Sequence, residues 1–227
     1  MPMPSPDRRA LLGVGALLAT ALATPTPAAP IKPTPKPLPF DPAGVTGLSE
    51  KLLRSHFDNN YTGAVNRLGA ISAEVSALDL AATPGYRLNG LKREELIAWN
   101  SMILHEVYFA GLSGAAAPSA PLAQAIERDF GSQARWAAEF TAMGKALGGG
   151  SGWVLLTYSP HDGRLVNTWA ADHTMTLAGG SPLVALDMYE HAYQMDYGAK
   201  AGAYVDAVLK VISWRHANEA FRRASAA

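Results

Sequence analysis

The sequence predicts an α+β fold: an N-terminal helical hairpin, then a C-terminal α/β domain with a small antiparallel three-stranded sheet. Between residues 48 and 112 apolar residues recur at intervals of three and four, as in amphipathic helices. After residue 150 three short apolar runs are separated by turn residues, which is typical of strands. With 227 residues, 48% of them hydrophobic, the chain can bury a sizeable core.

The N-terminal 29 residues have the features of an export signal. Arg8 and Arg9 precede a weakly apolar run that ends near Ala23, and small residues follow it. The paired arginines favour the twin-arginine route, which predicts a periplasmic or secreted protein with no membrane association after processing. The alternative is a membrane anchor, but the run of about 14 residues is shorter than the roughly 20 that span a bilayer.

Residues 30–42 form a proline-rich leader, "PIKPTPKPLPFDP". The segment has no apolar period, so an extended conformation is expected. It is predicted to serve as a spacer or as a surface strap.

Residues 43–115 are assigned to the helical hairpin domain. Ser49 is a suitable N-cap for the first helix, and Gly63 weakens its middle and is the expected position of a kink. The turn residues Pro84 and Gly85 predict a loop over residues 82–90, and the second helix is predicted from residue 92 to an end near Gly111 to Gly114.

Residues 116–227 are assigned to the mixed α/β domain, after a small-residue linker at 114–121. Two short helices, each closed by glycine, come first. The runs "GWVLLTYS" and "RLVNTWAAD" flank the turn "PHDG", and "PLVALD" is the third strand. Residues 201–224 are predicted to close the chain as one long helix.

The composition excludes several classes of function. Lys plus Arg and Asp plus Glu both number 19, so no net charge directs the protein to nucleic acid. The absence of cysteine excludes disulfides, zinc fingers, iron–sulfur clusters and thiol nucleophiles. Any bound metal must therefore have nitrogen and oxygen ligands.

Four residues suggest such a metal site. His56 and His105 lie one on each predicted N-terminal helix, Asp187 ends the third strand, and His191 follows in the adjoining turn. Three imidazoles and a carboxylate suit iron or manganese better than a soft-ligand copper site. By spacing alone this signal is weak, since a lone histidine on an apolar helix is more often a hydrogen-bonded core residue than a metal ligand, because buried polar groups usually find a partner.

The residue sequences of four segments provide further evidence for a metal site. The stretch "LDMYEHAYQMDYG" closely resembles the C-terminal signature of the iron/manganese superoxide dismutases. The resemblance extends from Pro37 to Phe221 and includes three further segments in the family's order: "LPFDPAGVTGLSEKLLRSHFDNNY", "NSMILHEVYFAGL" and "PLAQAIERDFGSQARWAAEFTAMGKALGGGSGWVLL".

The resemblance implies a set of metal ligands and a dimer contact. His56, His105, Asp187 and His191 would hold one Mn or Fe ion per subunit. Glu190 would reach across an interface to His191 of a second subunit, in a homodimer or homotetramer. The residues implied to line the site are Trp153, Tyr189 and Tyr108.

The chain departs from the family pattern near the substrate entrance. The family's second histidine, four residues after the first ligand, is Asn60 here, and its tyrosine eight residues after that ligand is Ala64. Tyr61 lies nearby and is a candidate to replace that tyrosine. The tyrosine that pairs with the missing histidine across the interface is Gln194, which is compatible with an Asn60–Gln194 amide bridge.

His173 is the candidate for the residue that hydrogen-bonds the solvent on the metal. The stretch "WAADHTMTL" resembles the subset of the family with a histidine there, and the small Ser101 leaves room for it. The alternative is a surface histidine at the end of a strand.

The resemblance therefore implies an antioxidant oxidoreductase, a superoxide dismutase whose substrate is superoxide. The altered entrance residues predict turnover below the diffusion limit. They also keep open a dismutase-fold metal-binding protein with little turnover, whereas a purely structural module without metal does not explain four ligand-type residues.

Overall fold

The computed structural model of the protein describes residues 29–112, 114 and 116–226. The predicted export signal therefore falls almost entirely outside the described residues. The helices are α1 (Glu50–Ser55), α2 (Thr62–Ser76), α3 (Gly85–Ala110), α4 (Ala120–Phe130), α5 (Gln133–Ala146), α6 (Gln194–Tyr197), α7 (Ala201–Val211) and α8 (Arg215–Ala224). The strands are β1 (Trp153–Ser159), β2 (Arg164–Ala170) and β3 (Ser181–Asp187).

The predicted α+β fold is confirmed. Helices α2 and α3 pack against each other as the N-terminal hairpin, and the three strands form one antiparallel sheet in the order β2-β1-β3. The main hydrophobic core runs between α1, α3, the sheet and the C-terminal helices, and all seven residues of β1 are buried. Within the described part of the chain, no helix is both long and apolar enough to cross a membrane.

The first helix is interrupted at a different place from the one predicted. Ser49 caps α1 by accepting a hydrogen bond of 3.1 Å from the backbone N–H of Leu52. A π-helical segment, His56–Tyr61, then joins α1 to α2, whereas Gly63 lies inside regular α2. Single-turn π segments occur often at functional sites, because the wider turn redirects side chains.

The predicted loop over residues 82–90 is too long, because α3 already begins at Gly85. Pro84 stands at the N-cap with an extended ψ of 136°, and its carbonyl accepts hydrogen bonds from Arg87 and Leu88. A proline that precedes a helix removes one backbone donor that would otherwise lack a partner. Turn chemistry at Pro84 therefore starts the helix rather than a loop.

The prediction of one long C-terminal helix is also wrong, because residues 212–214 separate α7 from α8. Ile212 is extended, with φ −58° and ψ 126°. The backbone N–H groups of Ser213 and Trp214 instead donate to the carbonyls of Gly111 and Ala116, at 2.8 and 3.1 Å. The break lets the Trp214 ring pack against Trp136, with 4.9 Å between ring centroids.

The proline-rich leader lies along the hairpin as a surface strap. The backbone N–H of Ile31 donates a hydrogen bond of 2.9 Å to Ser72, and Pro33 lies against Gly69 of the same helix. Further along, Leu38 and Phe40 pack against the main core. Of the two predicted roles, the contacts favour the strap over the spacer.

Candidate metal centre

The four predicted ligand residues converge from four separate elements. His56 opens the π-helical segment, His105 lies in α3, Asp187 ends β3, and His191 lies in the 3-10 turn Glu190–Ala192. The side chains of His56, His105 and Asp187 are at most 1% exposed, whereas that of His191 is 26% exposed. One ligand atom from each residue lies within 4.8 Å of the others.

The geometry fits a metal ion. The Nε2 atoms of His56, His105 and His191 lie 3.1, 3.5 and 3.2 Å from Oδ2 of Asp187. A metal about 2.1 Å from each donor, at angles of about 90–120°, would hold neighbouring donors about 3.0–3.6 Å apart. Each of the three imidazole nitrogens therefore already lies at the spacing of a coordination shell from the Asp187 oxygen.

The hydrogen bonding of His105 leaves its second nitrogen free for a metal. Nδ1 lies 2.7 Å from the backbone carbonyl of Ser101. Because a carbonyl oxygen can only accept, Nδ1 must carry the proton, and Nε2 presents its lone pair to the cluster. Nε2 has no hydrogen-bond partner among the described residues although it is buried, a state that a metal ligand bond would relieve.

The protonation states also suit a cation. Burial lowers the pKa of His105 to about 3 and also lowers the pKa of His56. For Asp187, burial alone would raise the pKa, but hydrogen bonds from His191 and His56 outweigh it and hold this pKa below its usual range. At neutral pH the centre therefore contains an ionised carboxylate beside neutral buried imidazoles, the forms that bind metals.

Aromatic rings enclose this cluster. Trp153 meets His105 edge-on at 5.2 Å between centroids, and Tyr108 lies 5.1 Å from His56. Tyr189 is stacked on His191 at 5.4 Å. The three rings thus lie where the sequence prediction put the walls of the site.

The sheet register explains the placement of Trp153. The first residue of β1, Trp153, is paired with the last residue of β3, Asp187. Residues paired across antiparallel strands project from the same face, so the ring of Trp153 and the carboxylate of Asp187 face the site together. Before them, Gly152 has a φ of +130°, and a Cβ there would lie 2.1 Å from the carbonyl oxygen of Ala170.

His173 lies against the cluster and is half-buried. The indole N–H of Trp153 donates a hydrogen bond of 2.9 Å to Nδ1 of His173. The ring centroid of His173 lies 6.2 Å from that of His105. The backbone carbonyl of His173 also accepts a hydrogen bond from the Asn100 side chain. These contacts do not fit a surface histidine, and burial lowers the pKa of His173.

For the remaining predicted residues, the structure gives a longer ring distance or only the degree of exposure. The Tyr61 ring centroid lies 6.5 Å from that of His105, but its hydroxyl is hydrogen-bonded to Lys36 and Glu106. Asn60 is half-buried, and Glu190 and Gln194 are exposed. The contacts expected of Glu190 and Gln194 involve a second subunit, so those roles stay predictions.

Two residues that contact the site, Phe109 and Tyr204, were not predicted from the sequence. Phe109 packs on His56 at 5.0 Å between centroids, and its position four residues after His105 was the available signal. Tyr204 donates a hydrogen bond of 2.8 Å to the backbone carbonyl of Asp187, and its hydroxyl lies 3.3 Å from that of Tyr108. Nothing in the local pattern of α7 marks Tyr204 as part of the site.

Known proteins provide an independent comparison. Residues 118–220 match the family model described as the C-terminal domain of iron/manganese superoxide dismutases. A superoxide dismutase [Fe] of Cupriavidus metallidurans is 67% identical over 189 residues, which cover 83% of this chain and 96% of that protein. A superoxide dismutase [Mn] 1 of Halobacterium salinarum is 36% identical, over 83% of this chain and 94% of the relative. A superoxide dismutase [Fe] of Aquifex pyrophilus is 34% identical, over 81% and 88%.

These similarities span nearly the full length of the relatives, and they coincide with a largely buried cluster of three histidines and one aspartate. The chain belongs to the iron/manganese superoxide dismutase family.

Proposed function

We propose that the protein disproportionates superoxide, converting two superoxide anions and two protons into one oxygen and one hydrogen peroxide, with one iron or manganese ion per subunit. The observation that carries the proposal is the convergence of three imidazole nitrogens on one buried carboxylate oxygen, at 3.1–3.5 Å. When bound, the ion supplies the one-electron redox couple that takes an electron from one superoxide and returns it to another.

The protein holds and tunes the ion. Asp187 contributes the only negative charge among the four ligand residues, which lowers the net charge of the site. Backbone groups fix two of the ligands: the carbonyl of Ser101 orients His105, and the N–H of Tyr189 donates to Oδ1 of Asp187 at 2.9 Å. Such outer contacts set ligand orientation and basicity.

His173 is proposed to tune the site through its second ring nitrogen. Because the indole N–H of Trp153 donates to Nδ1, that atom is the acceptor, and the neutral ring then carries its proton on Nε2. An N–H beside the ligand cluster is a hydrogen-bond donor for substrate or solvent and supports a role in setting the redox potential.

The native metal is proposed to be iron. The relative with 67% identity over most of the chain is named an iron enzyme, and more distant relatives are named for iron or for manganese. The protein's own ligand types suit both ions. Metal analysis of protein purified from its native compartment tests the assignment.

Two further features are proposed from the sequence. Exported protein is expected because residues 1–29 combine an arginine pair with a short apolar run. Dimer formation through Glu190 is supported by the exposure of Glu190 and by the 26% exposure of the neighbouring ligand His191, which a second subunit could cover.

The experiment that tests the function measures superoxide consumption by protein of known metal content. Iron- or manganese-loaded protein should remove superoxide catalytically, and protein stripped of metal should not. Loaded protein without turnover would instead support the second candidate, a metal-binding protein of the same fold. That candidate rests on Asn60 and Ala64, which replace the family's usual entrance residues.

A further inference from the structure

The leader strap is joined to the two helices that carry ligands. The backbone N–H of Lys36 donates a hydrogen bond of 2.8 Å to the Tyr61 hydroxyl, and that hydroxyl donates one of 3.1 Å to Oε1 of Glu106. The Lys36 ammonium forms an ion pair with Oε2 of the same carboxylate. We refer to Lys36, Tyr61 and Glu106 as the clamp.

Each partner of the clamp is placed beside a ligand along the chain. Tyr61 is the last residue of the π-helical segment whose first residue is the ligand His56. Glu106 directly follows the ligand His105 in α3. The Tyr61–Glu106 hydrogen bond therefore joins the two ligand-bearing helices. Lys36 of the strap contacts both residues of that bond.

The clamp is also connected to the ligands through aromatic packing. The Tyr61 side chain is only 1% exposed, and its ring lies 6.5 Å from the ring of His105 and 6.3 Å from that of Phe109. Phe109 in turn lies 5.0 Å from His56. A shift of Tyr61 would thus be passed to both ligand rings, because close-packed interiors transmit displacements.

The clamp is buried at Tyr61 but reaches the surface at its ion pair, where the Lys36 side chain is 72% exposed and that of Glu106 21% exposed. Residues of the strap and of both ligand-bearing helices line a cavity of about 210 Å³, among them Lys36, Leu38, Phe57, Tyr61 and Phe109. Lifting Lys36 and Leu38 would expose the part-buried Tyr61–Glu106 hydrogen bond to water. Hydrogen bonds exposed to water hold geometry less firmly than covered ones.

We propose that Tyr61 is a positioning residue, which the strap holds so that His56 and His105 keep the geometry of the metal site. The inference rests on the proposed function for the identity of the metal. It assigns Tyr61 a task different from delivering protons, because its hydroxyl is already occupied on both sides by Lys36 and Glu106.

The main test is the substitution Tyr61→Phe in the iron-loaded full protein, which removes the hydroxyl and keeps the ring. We expect an altered electron paramagnetic resonance spectrum of the ferric ion and iron loss to a chelator about fivefold faster, as for one lost hydrogen bond. Lys32→Ala, an exposed lysine in the same leader, is the matched control and should change neither measurement.

Two further variants keep the inference testable if Tyr61→Phe fails to fold. Lys36→Ala removes the ion pair but leaves the backbone donor, and Glu106→Gln keeps the shape while it removes the charge. Both are expected to increase the rate of iron loss by about twofold, and their effects should not add to that of Tyr61→Phe, because the three groups act as one unit.

An unchanged ferric spectrum and unchanged iron loss in Tyr61→Phe, or in both other variants if Tyr61→Phe does not fold, would overturn the inference. A loss of superoxide turnover in Tyr61→Phe with both metal measurements unchanged would also overturn the inference. That result would support proton delivery as the role of Tyr61. Wild-type protein that binds iron without turnover would refute the proposed function instead, while the metal measurements still decide the role of the clamp.

Discussion

The indole N–H of Trp153 donates a hydrogen bond of 2.9 Å to Nδ1 of His173, and thereby joins the start of β1 to the loop that follows β2. The contact fixes both the position and the tautomer of His173 beside the ligand His105. The proposed tuning of the metal site therefore depends on a residue that is not itself a ligand.

The first prediction concerns this contact. Trp153→Phe keeps an aromatic wall but removes the donor, so His173 loses its fixed tautomer. We expect turnover to fall by about tenfold with metal content preserved, as for other supporting contacts of metal sites. Superoxide consumption and metal analysis on the same sample provide the measurement.

The control for this variant is Trp169→Phe, because Trp169 is an exposed tryptophan on β2 with 52% of its surface accessible. Its turnover should match that of the wild type. Equal turnover of Trp153→Phe and wild type at equal metal content would show that the tautomer of His173 does not matter.

The second prediction concerns acid sensitivity of the metal-free protein. Burial lowers the folded-state pKa of His56 and His105, the latter to about 3, while the unfolded value is about 6.5. Between these values the unfolded chain binds more protons than the folded one, so the free energy of unfolding falls as the pH drops from about 6.5 towards 3. Asp187 adds to the loss only below about pH 4, where its carboxyl begins to bind a proton in the unfolded chain while the lowered pKa keeps it ionised in the folded state.

Urea unfolding of metal-free protein at pH 7 and at pH 5 measures this dependence. The free energy of unfolding of the wild type should be clearly lower at pH 5 than at pH 7. In His105→Gln this difference should be smaller, because the uptake of up to one proton on unfolding is removed. A free energy of unfolding that is the same at both pH values would contradict the assignment of His56 and His105 as neutral buried groups.

The third prediction concerns Gly152, which precedes Trp153. Gly152→Ala introduces a Cβ at a φ of +130° and 2.1 Å from the carbonyl oxygen of Ala170. We expect a loss of roughly 2–4 kcal/mol in the free energy of unfolding, from backbone strain and displacement of β2. Denaturant unfolding of the metal-loaded protein measures it.

Gly90→Ala is the matched control, since Gly90 lies within α3 and a Cβ there meets nothing within 4 Å. Alanine in a helix interior is favoured over glycine by about 0.5–1 kcal/mol, so this variant should be more stable than the wild type. The two substitutions are therefore expected to have opposite signs. If Gly152→Ala were as stable as the wild type, the close approach of Gly152 to β2 would not be structurally important.

The sequence predicted the fold and the metal ligands for identifiable reasons. His56 and His105 lie in long stretches with a clear helical period, and Asp187 ends an apolar run, so the elements that carry them were recognisable. The resemblance to a known family then resolved the ambiguity between a metal site and hydrogen-bonded histidines, which spacing alone could not do.

The features that were missed depend on contacts between distant parts of the chain. The apolar pattern continues through residues 212–214, and only the backbone hydrogen bonds to Gly111 and Ala116 explain why the helix breaks there. Similarly, a proline-rich leader has no period that could indicate its contact with Tyr61. Local propensity carries no information about such long-range partners.

The last prediction concerns assembly. Glu190 is exposed beside His191, the one ligand whose side chain remains 26% accessible in the single chain. If Glu190 of a second subunit accepts a hydrogen bond from His191, then Glu190→Ala should weaken metal retention by about tenfold, as loss of an outer carboxylate partner does. It should also shift the protein towards the monomer in analytical ultracentrifugation. Glu127→Ala, an exposed glutamate on α4, should leave both unchanged. A wild-type protein that is monomeric at micromolar concentration and retains its metal fully would exclude this role for Glu190, because His191 would then be held without a partner.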